Sequence, residues 1–267
     1  MAITTLDGVI AGMQAPKPIT KVGIATAAVG AMRGYTLWYA AGNPGAATAN
    51  AAGINGAAVS AGVGGIPRTN PGAGNSYLAR FGVQASTAGS LWLIDRLWNN
   101  SGLVVTSTGA QAIAAAALPS RDGAGGTTGA NVMAAIEWSA TGGAGVPTVT
   151  LTYTDQDGNA GATGTFTAVA SPPVGTFELF TLAAGDTGVR APSSFIQSAT
   201  RTSGTMHLVL FRVLAQIEVT AANIGNAIDA LTSGMPRIYD SSTLQLVWFP
   251  SVTTATTFVG QYIETQG

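Results

Sequence analysis

Apolar and polar residues alternate with a period of two along much of the chain from Ser76 onward. The cleanest stretch sets Val149, Leu151 and Tyr153 on one side and Thr148, Thr150, Thr152 and Thr154 on the other, the pattern of a strand with one face buried. Similar alternation predicts strands over 77–84, 90–98, 131–139, 165–169, 176–182, 206–219, 243–249 and 257–264. Turn-forming runs separate them, notably Gln156-Asp157-Gly158-Asn159 and Ser171-Pro172-Pro173. So many strands without alternating helices predict an all-β domain over 76–267, an antiparallel β-sandwich that is jelly-roll-like. The run 206–219 is the longest. With Val209, Phe211, Val213, Ala215, Ile217 and Val219 read as one face, it is expected to cross the middle of a sheet.

Helical spacing occurs twice. Leu6, Val9, Ile10 and Met13 lie at i, i+3, i+4 and i+7, with Thr4 or Thr5 as N-cap and Pro16 as a stop, which predicts a short amphipathic helix. Its apolar stripe suits either its own domain or a neighbouring subunit. Ile224, Ile228 and Leu231, between Thr220 and Gly234, predict one short crossover helix late in the chain. Between these, the segment from Ala41 to Gly74 is almost entirely Ala, Gly, Asn, Pro and Ser and cannot build a core alone. Residues 1–75 are therefore read as an N-terminal arm followed by a Gly/Ala-rich extended segment laid on a partner surface.

Charge changes this picture most. Only 9% of the 267 residues are Asp, Glu, Lys or Arg, where a soluble domain has about a quarter. The 11 basic and 12 acidic residues give a net charge of −1 and no basic stripe, so nucleic acid and anionic membrane surfaces are not expected partners. Mean hydropathy is +0.33, yet no window reaches the ~18 apolar residues of a membrane span. The start shows no secretory pattern. Without cysteine, neither disulfides nor thiolate metal sites are available. A surface with so few charges resists association poorly and suits a protein that packs against copies of itself.

Candidate chemistry is sparse. The only histidine, His207, lies within the 206–219 strand and reads as a satisfied strand histidine rather than a triad member. Asp155-Gln156-Asp157-Gly158-Asn159 looks like a calcium loop until its last ligand position, which is Phe166 where a Glu is needed; a hairpin turn accounts for it. Asp95, Glu137, Glu178 and Glu218 lie in or beside strands without a pairing that points to glycoside chemistry. Gly62-Val63-Gly64-Gly65 lacks the Lys-Ser/Thr of a phosphate loop, and Asn99-Asn100-Ser101 matches a glycosylation sequon by chance. No enzyme activity, cofactor or metal is expected.

The aromatic residues point toward contacts. Tyr35, Trp38 and Tyr39 cluster just before the Gly/Ala-rich stretch, and together with Leu6, Val9, Ile10 and Met13 they are the expected subunit-interface residues, since aromatic side chains anchor such surfaces. A different reading makes the protein a carbohydrate-binding module using exposed Trp92, Trp98 or Trp248.

The run Tyr35-Thr36-Leu37-Trp38-Tyr39-Ala40-Ala41-Gly42-Asn43-Pro44-Gly45, the segments Thr69-Asn70-Pro71 and Asn75-Ser76-Tyr77-Leu78-Ala79-Arg80-Phe81, the opening ten residues and Asp95-Arg96-Leu97-Trp98 resemble virion proteins of tailed bacteriophages. The resemblance implies decoration or stabilisation of a capsid, with a tail or connector component as the alternative. It also implies a major capsid protein as partner and residence in the virion after synthesis in a bacterial cytoplasm. Self-association, most simply as a homotrimer, is expected. The major shell protein itself is disfavoured because no long helix or mixed α/β pattern is present.

Overall fold

The long alternating run forms β13 (Thr205–Val219) in a computed structural model that describes residues 3–24, 33–60 and 64–267. Met1, Ala2, Gly62 and Val63, which entered the sequence reading, lie outside these residues. β13 pairs antiparallel with β8 (Met133–Ala140) on one side and β6 (Gly89–Asn99) on the other. From β8 the pairing continues through β11 (Thr176–Leu179), β2 (Gly34–Thr36) and β16 (Leu244–Pro250) back to β6. The 6 strands therefore close into a barrel, which leaves no open edge at the centre of the molecule. The all-β, antiparallel expectation holds, and the central pairing is a closed ring rather than the open two-sheet layout of a jelly roll.

Two sheets flank the barrel. The first has the order β14 (Asn226–Asp229), β5 (Ser76–Ala85), β17 (Thr256–Gln266), β1 (Lys17–Ile24) and β3 (Ala41–Asn43), with β15 (Arg237–Ile238) also on β5. The second runs β10 (Ala160–Thr167), β9 (Thr148–Asp155), β12 (Val189–Gln197) and β7 (Gln111–Ala112). A further short strand, β4 (Ala57–Ala58), extends the barrel beside β6.

Three apolar clusters follow from this layering. Ile94, Ala135, Phe177, Val209, Phe211, Val247 and Phe249 come only from barrel strands and fill the interior. Leu91, Leu93, Ile217 and Trp248 point outward and meet Phe81, Phe258 and Tyr262 of the first sheet. Ile136, Trp138, Leu208 and Leu210 meet Leu151, Tyr153 and Phe195 of the second.

Two bulges let β13 and β6 serve all three clusters. Pairing shifts between Leu210↔Trp98 and Phe211↔Arg96, and again between Val213↔Ile94 and Ala215↔Leu93. The extra residues, Leu97 and Leu214, each reverse which side chains face inward. Val209 and Phe211 thus enter the barrel, whereas Ile217 and Val219 leave it for the first sheet. The single apolar face expected over 206–219 is in fact two faces.

Other expectations are corrected by strand pairing. The crossover helix over 224–231 does not form: Asn226–Asp229 is β14, paired with Val83, Gly82, Phe81 and Arg80 of β5. Asn223 takes φ of 59° and Gly225 follows it, breaking a helical run, while only Ile228 of the three apolar residues packs on the core. Within residues 1–75, β1 and β3 extend the first sheet while β2 and β4 belong to the barrel sheet. β1 and β12 had no counterpart in the sequence reading. In β12, Pro192 sits at a pairing shift between Pro192 and Ser194, where its missing N–H is tolerated.

Candidate functional site

The N-terminal helix forms where its signals placed it, as α1 (Leu6–Ala11). Thr5 caps it, its hydroxyl accepting the Gly8 N–H at 3.1 Å. Val9 is buried, and the Thr265 hydroxyl donates to its carbonyl at 2.7 Å. Gly12 lies so close to Gln266 that a Cβ there would meet the Gln266 carbonyl oxygen. This seats α1 against β17. The rest of its apolar stripe is left uncovered: Leu6 is 62% exposed, Ile10 58% and Met13 47%.

Facing α1 across the sheet is the turn after β14. Its Leu231 is 84% exposed, and the turn is fixed by Asp229, whose Oδ1 accepts the N–H groups of Leu231 and Thr232 at 3.0 and 3.1 Å. Hydrogen bonds from Thr232 hold the Asp229 carboxyl below its ordinary pKa. Between helix and turn runs a groove of about 510 Å³ with Ala79 and Ile263 among its lining residues. A neighbouring groove of about 420 Å³ shares Arg80 and Gln261 with it and continues toward Val259, itself 62% exposed. Arg80 and Asp229 are paired across β5 and β14, so the face they share is close to neutral.

The other expected interface residues lie elsewhere. Tyr35 and Trp38 are buried within the fold, and Tyr39 donates its hydroxyl to Glu137 at 3.2 Å. Their place inside one chain separates them from the exposed α1 stripe: the barrel closes through β2, which carries Tyr35 into the layer under the first sheet, and Tyr39 is half-buried. Burial pushes the Tyr35 hydroxyl up to about 12. The tryptophans considered for sugar binding are buried or half-buried. Trp98 and Trp248 are fully buried, and Trp92 packs on Phe249 of the barrel interior with ring centroids 4.5 Å apart.

Although charges are few, nearly half of the 23 charged side chains lie inside. Eleven of them are buried: Lys21, Asp95, Arg96, Arg121, Asp122, Glu137, Asp155, Glu178, Arg201, Arg212 and Glu264. Asp95 accepts from Arg121 and Arg212 and from the Ser242 hydroxyl and Thr243 N–H at 2.7 and 3.0 Å. Arg68 pairs with Glu264 at 2.6 Å, tying the loop after the Gly-rich segment to β17. In the polar part of the barrel, Arg96 donates to Glu137 at 2.8 Å and to Asn99 at 2.6 Å, and Gln245 bridges Glu137 to Thr36. Lys21 donates to the Ala40 and Pro44 carbonyls at 3.0 and 2.6 Å, and burial lowers its pKa to about 8. Such ions are tolerated in a core only because each is matched or multiply hydrogen-bonded.

No reactive centre emerges from these groups. His207 Nδ1 lies 3.0 Å from the Asn100 carbonyl, an acceptor, so this nitrogen carries the proton and Nε2 accepts the Ser139 hydroxyl at 2.7 Å. A main-chain carbonyl, not a carboxylate, orients the ring, and burial keeps it below the ordinary histidine pKa. Asp155 closes the β9–β10 hairpin by accepting from Asp157 and Asn159 N–H groups, each at 2.9 Å. Among the described residues, no group of three or more His, Cys, Asp or Glu is placed to hold a metal ion, and no helix is long and apolar enough to cross a membrane. Gly64 and Gly65 border an open loop region rather than a strand-to-helix phosphate cradle.

Sequence reasoning found α1 through its cap and stripe but missed Leu231, whose spacing from Ile224 and Ile228 concealed an isolated, outward-pointing turn residue. No protein family, characterised protein or solved structure matches the chain.

Proposed function

We propose that this protein is a non-enzymatic virion structural protein that decorates or stabilises a phage capsid by symmetric packing, most simply as a homotrimer added to a shell of major capsid protein. The phage assignment rests on the sequence resemblance. The packing role rests on one observation: Leu6, Ile10, Met13 and Leu231 stand exposed around one groove. A monomeric soluble protein rarely leaves such side chains grouped together, whereas an interface core is built of them.

Light scattering tests the packing role. The expected result is a discrete oligomer of three 26.6 kDa chains that persists at about 1 M salt, because little of its contact energy is screened. A monomer at all concentrations, or dissociation by salt alone, contradicts it. Co-sedimentation with assembled capsid shells tests the partner.

A further inference from the structure

α1 stands on the first sheet as a ridge. Val9 is its one buried side chain. Besides the groove it shares with the turn after β14, a second groove of about 330 Å³, with Ile3, Tyr77 and Met235 among its lining residues, adjoins the helix at Leu6 and Val9. Its exposed stripe has no equal elsewhere on the surface. Among the described residues Val104, Val146, Val174 and Val213 are also exposed, but each stands in a different stretch of the chain. Three large exposed apolar side chains within eight residues occur only from Leu6 to Met13. Where copies of this chain pack, the continuous ridge available to fill an apolar groove on a neighbour is therefore that of α1.

The charges of ridge and groove are complementary. α1 carries a single charged residue, the exposed Asp7. Two residues from Val9 and three from Ile10, it lies on the outward side of the helix beside the stripe. The groove is lined by two charged residues, Arg80 and Asp229. Asp229 spends its carboxylate on its own turn, where Oδ1 accepts from Leu231 and Thr232. Arg80 is exposed and forms no ion pair among the described residues. What remains is one cation in the groove and one anion on the ridge.

We propose that the groove between α1 and the turn after β14 receives α1 of a second copy, with Leu6 and Ile10 of the incoming helix over Ala79 and Ile263 and its Asp7 facing Arg80. This rests on the packing role proposed above and names the element that makes the contact. Ridge and groove floor are different residues, so each copy offers its helix to one neighbour and its groove to the next, the head-to-tail arrangement that closes a ring. Apolar burial supplies the strength of the contact and the charge pair its register.

The test is charge reversal, read by light scattering of the full chain over a dilution series at low ionic strength. The proteins are the natural chain, Asp7→Arg, Arg80→Glu and the two combined. Each single reversal sets like charges against each other across the contact and is expected to raise the dissociation constant about tenfold or more. The combined variant is expected to return it to within about threefold of the natural value. Arg80→Glu also places a carboxylate beside Asp229, but a loss arising there is not relieved by Asp7→Arg, so recovery is specific to the contact. Where a reversal unfolds the chain, the neutral variants Asp7→Asn and Arg80→Gln carry the same test: each alone weakens assembly, and the second adds nothing to the first. An oligomer that neither change weakens, or that stays weakened in the combined variant, overturns this contact and leaves the packing role standing. A monomeric natural chain overturns both.

Discussion

The two sheets that flank the barrel bury similar inner faces and present very different outer ones. On the second sheet, Thr148, Thr150 and Thr152 of β9 stand directly opposite Thr167, Thr165 and Thr163 of β10, giving a flat array of hydroxyls. On the first, the exposed residues include Val22, Val259 and the Leu6–Ile10–Met13 stripe, with Leu231 beside them. Neither face depends on charge for its character, yet one is wetted by hydroxyl groups and the other is apolar. Composition alone could not separate them. Under the packing role proposed above, the first sheet makes the contact and the second faces solvent.

That both faces are poor in charge has an internal cause, and the largest prediction breaks it. Asp95→Ala leaves Arg121 and Arg212 buried without their carboxylate and should cost about 3–5 kcal/mol in denaturant unfolding; a loss comparable to a surface substitution would show that the internal ion cluster does not hold the barrel. A second test uses pH. Lys21, under the first sheet, has a folded pKa of about 8 against 10.5 unfolded. Between these values the unfolded chain keeps a proton that the folded chain has released, so stability should rise from pH 8 to 10. Above pH 10, Tyr35 and Tyr153, both pushed up to about 12 by burial, ionise first in the unfolded chain and reverse the trend. Unfolding midpoints across this range should climb in the natural protein and climb less in Lys21→Met, where Lys17, its pKa also lowered by burial, still contributes.

Smaller effects sharpen the contrast between faces. Thr5→Ala removes the cap of α1 and should cost about 1 kcal/mol, read as faster hydrogen exchange confined to α1. Thr150→Ala on the hydroxyl face removes one cross-strand pair and should cost about 0.2–1 kcal/mol without altering oligomeric mass. A change in mass there would move the contact to the wrong sheet.

Much of this was readable from the chain because burial is one-sided in the elements concerned. β9 shows strict Thr alternation, and α1 carries both a cap and a stripe. The barrel was not readable, since β13 and β6 are apolar on both faces and a bulge at Leu214 or Leu97 leaves no trace in such a pattern. Ile224, Ile228 and Leu231 gave helical spacing by coincidence, and only the need of β5 for an edge partner turned the segment into β14. At the barrel end, Arg96 reads in sequence only as one of two adjacent charges, with Asp95, in an otherwise largely apolar strand. Its relation to Trp38 and Asn99 depends on β2 and β6 meeting through β16, which is a property of the closed ring.

The most direct test is the absolute mass, by light scattering, of three proteins at equal concentration: the natural chain, Ile10→Asp/Leu231→Asp on the first sheet, and Thr150→Asp/Thr165→Asp on the second. The account predicts an oligomer for the natural chain, a folded 26.6 kDa monomer for the first variant and an undiminished oligomer for the second. A monomeric natural chain, or dissociation by the threonine-face variant while the apolar-face variant stays assembled, would contradict it.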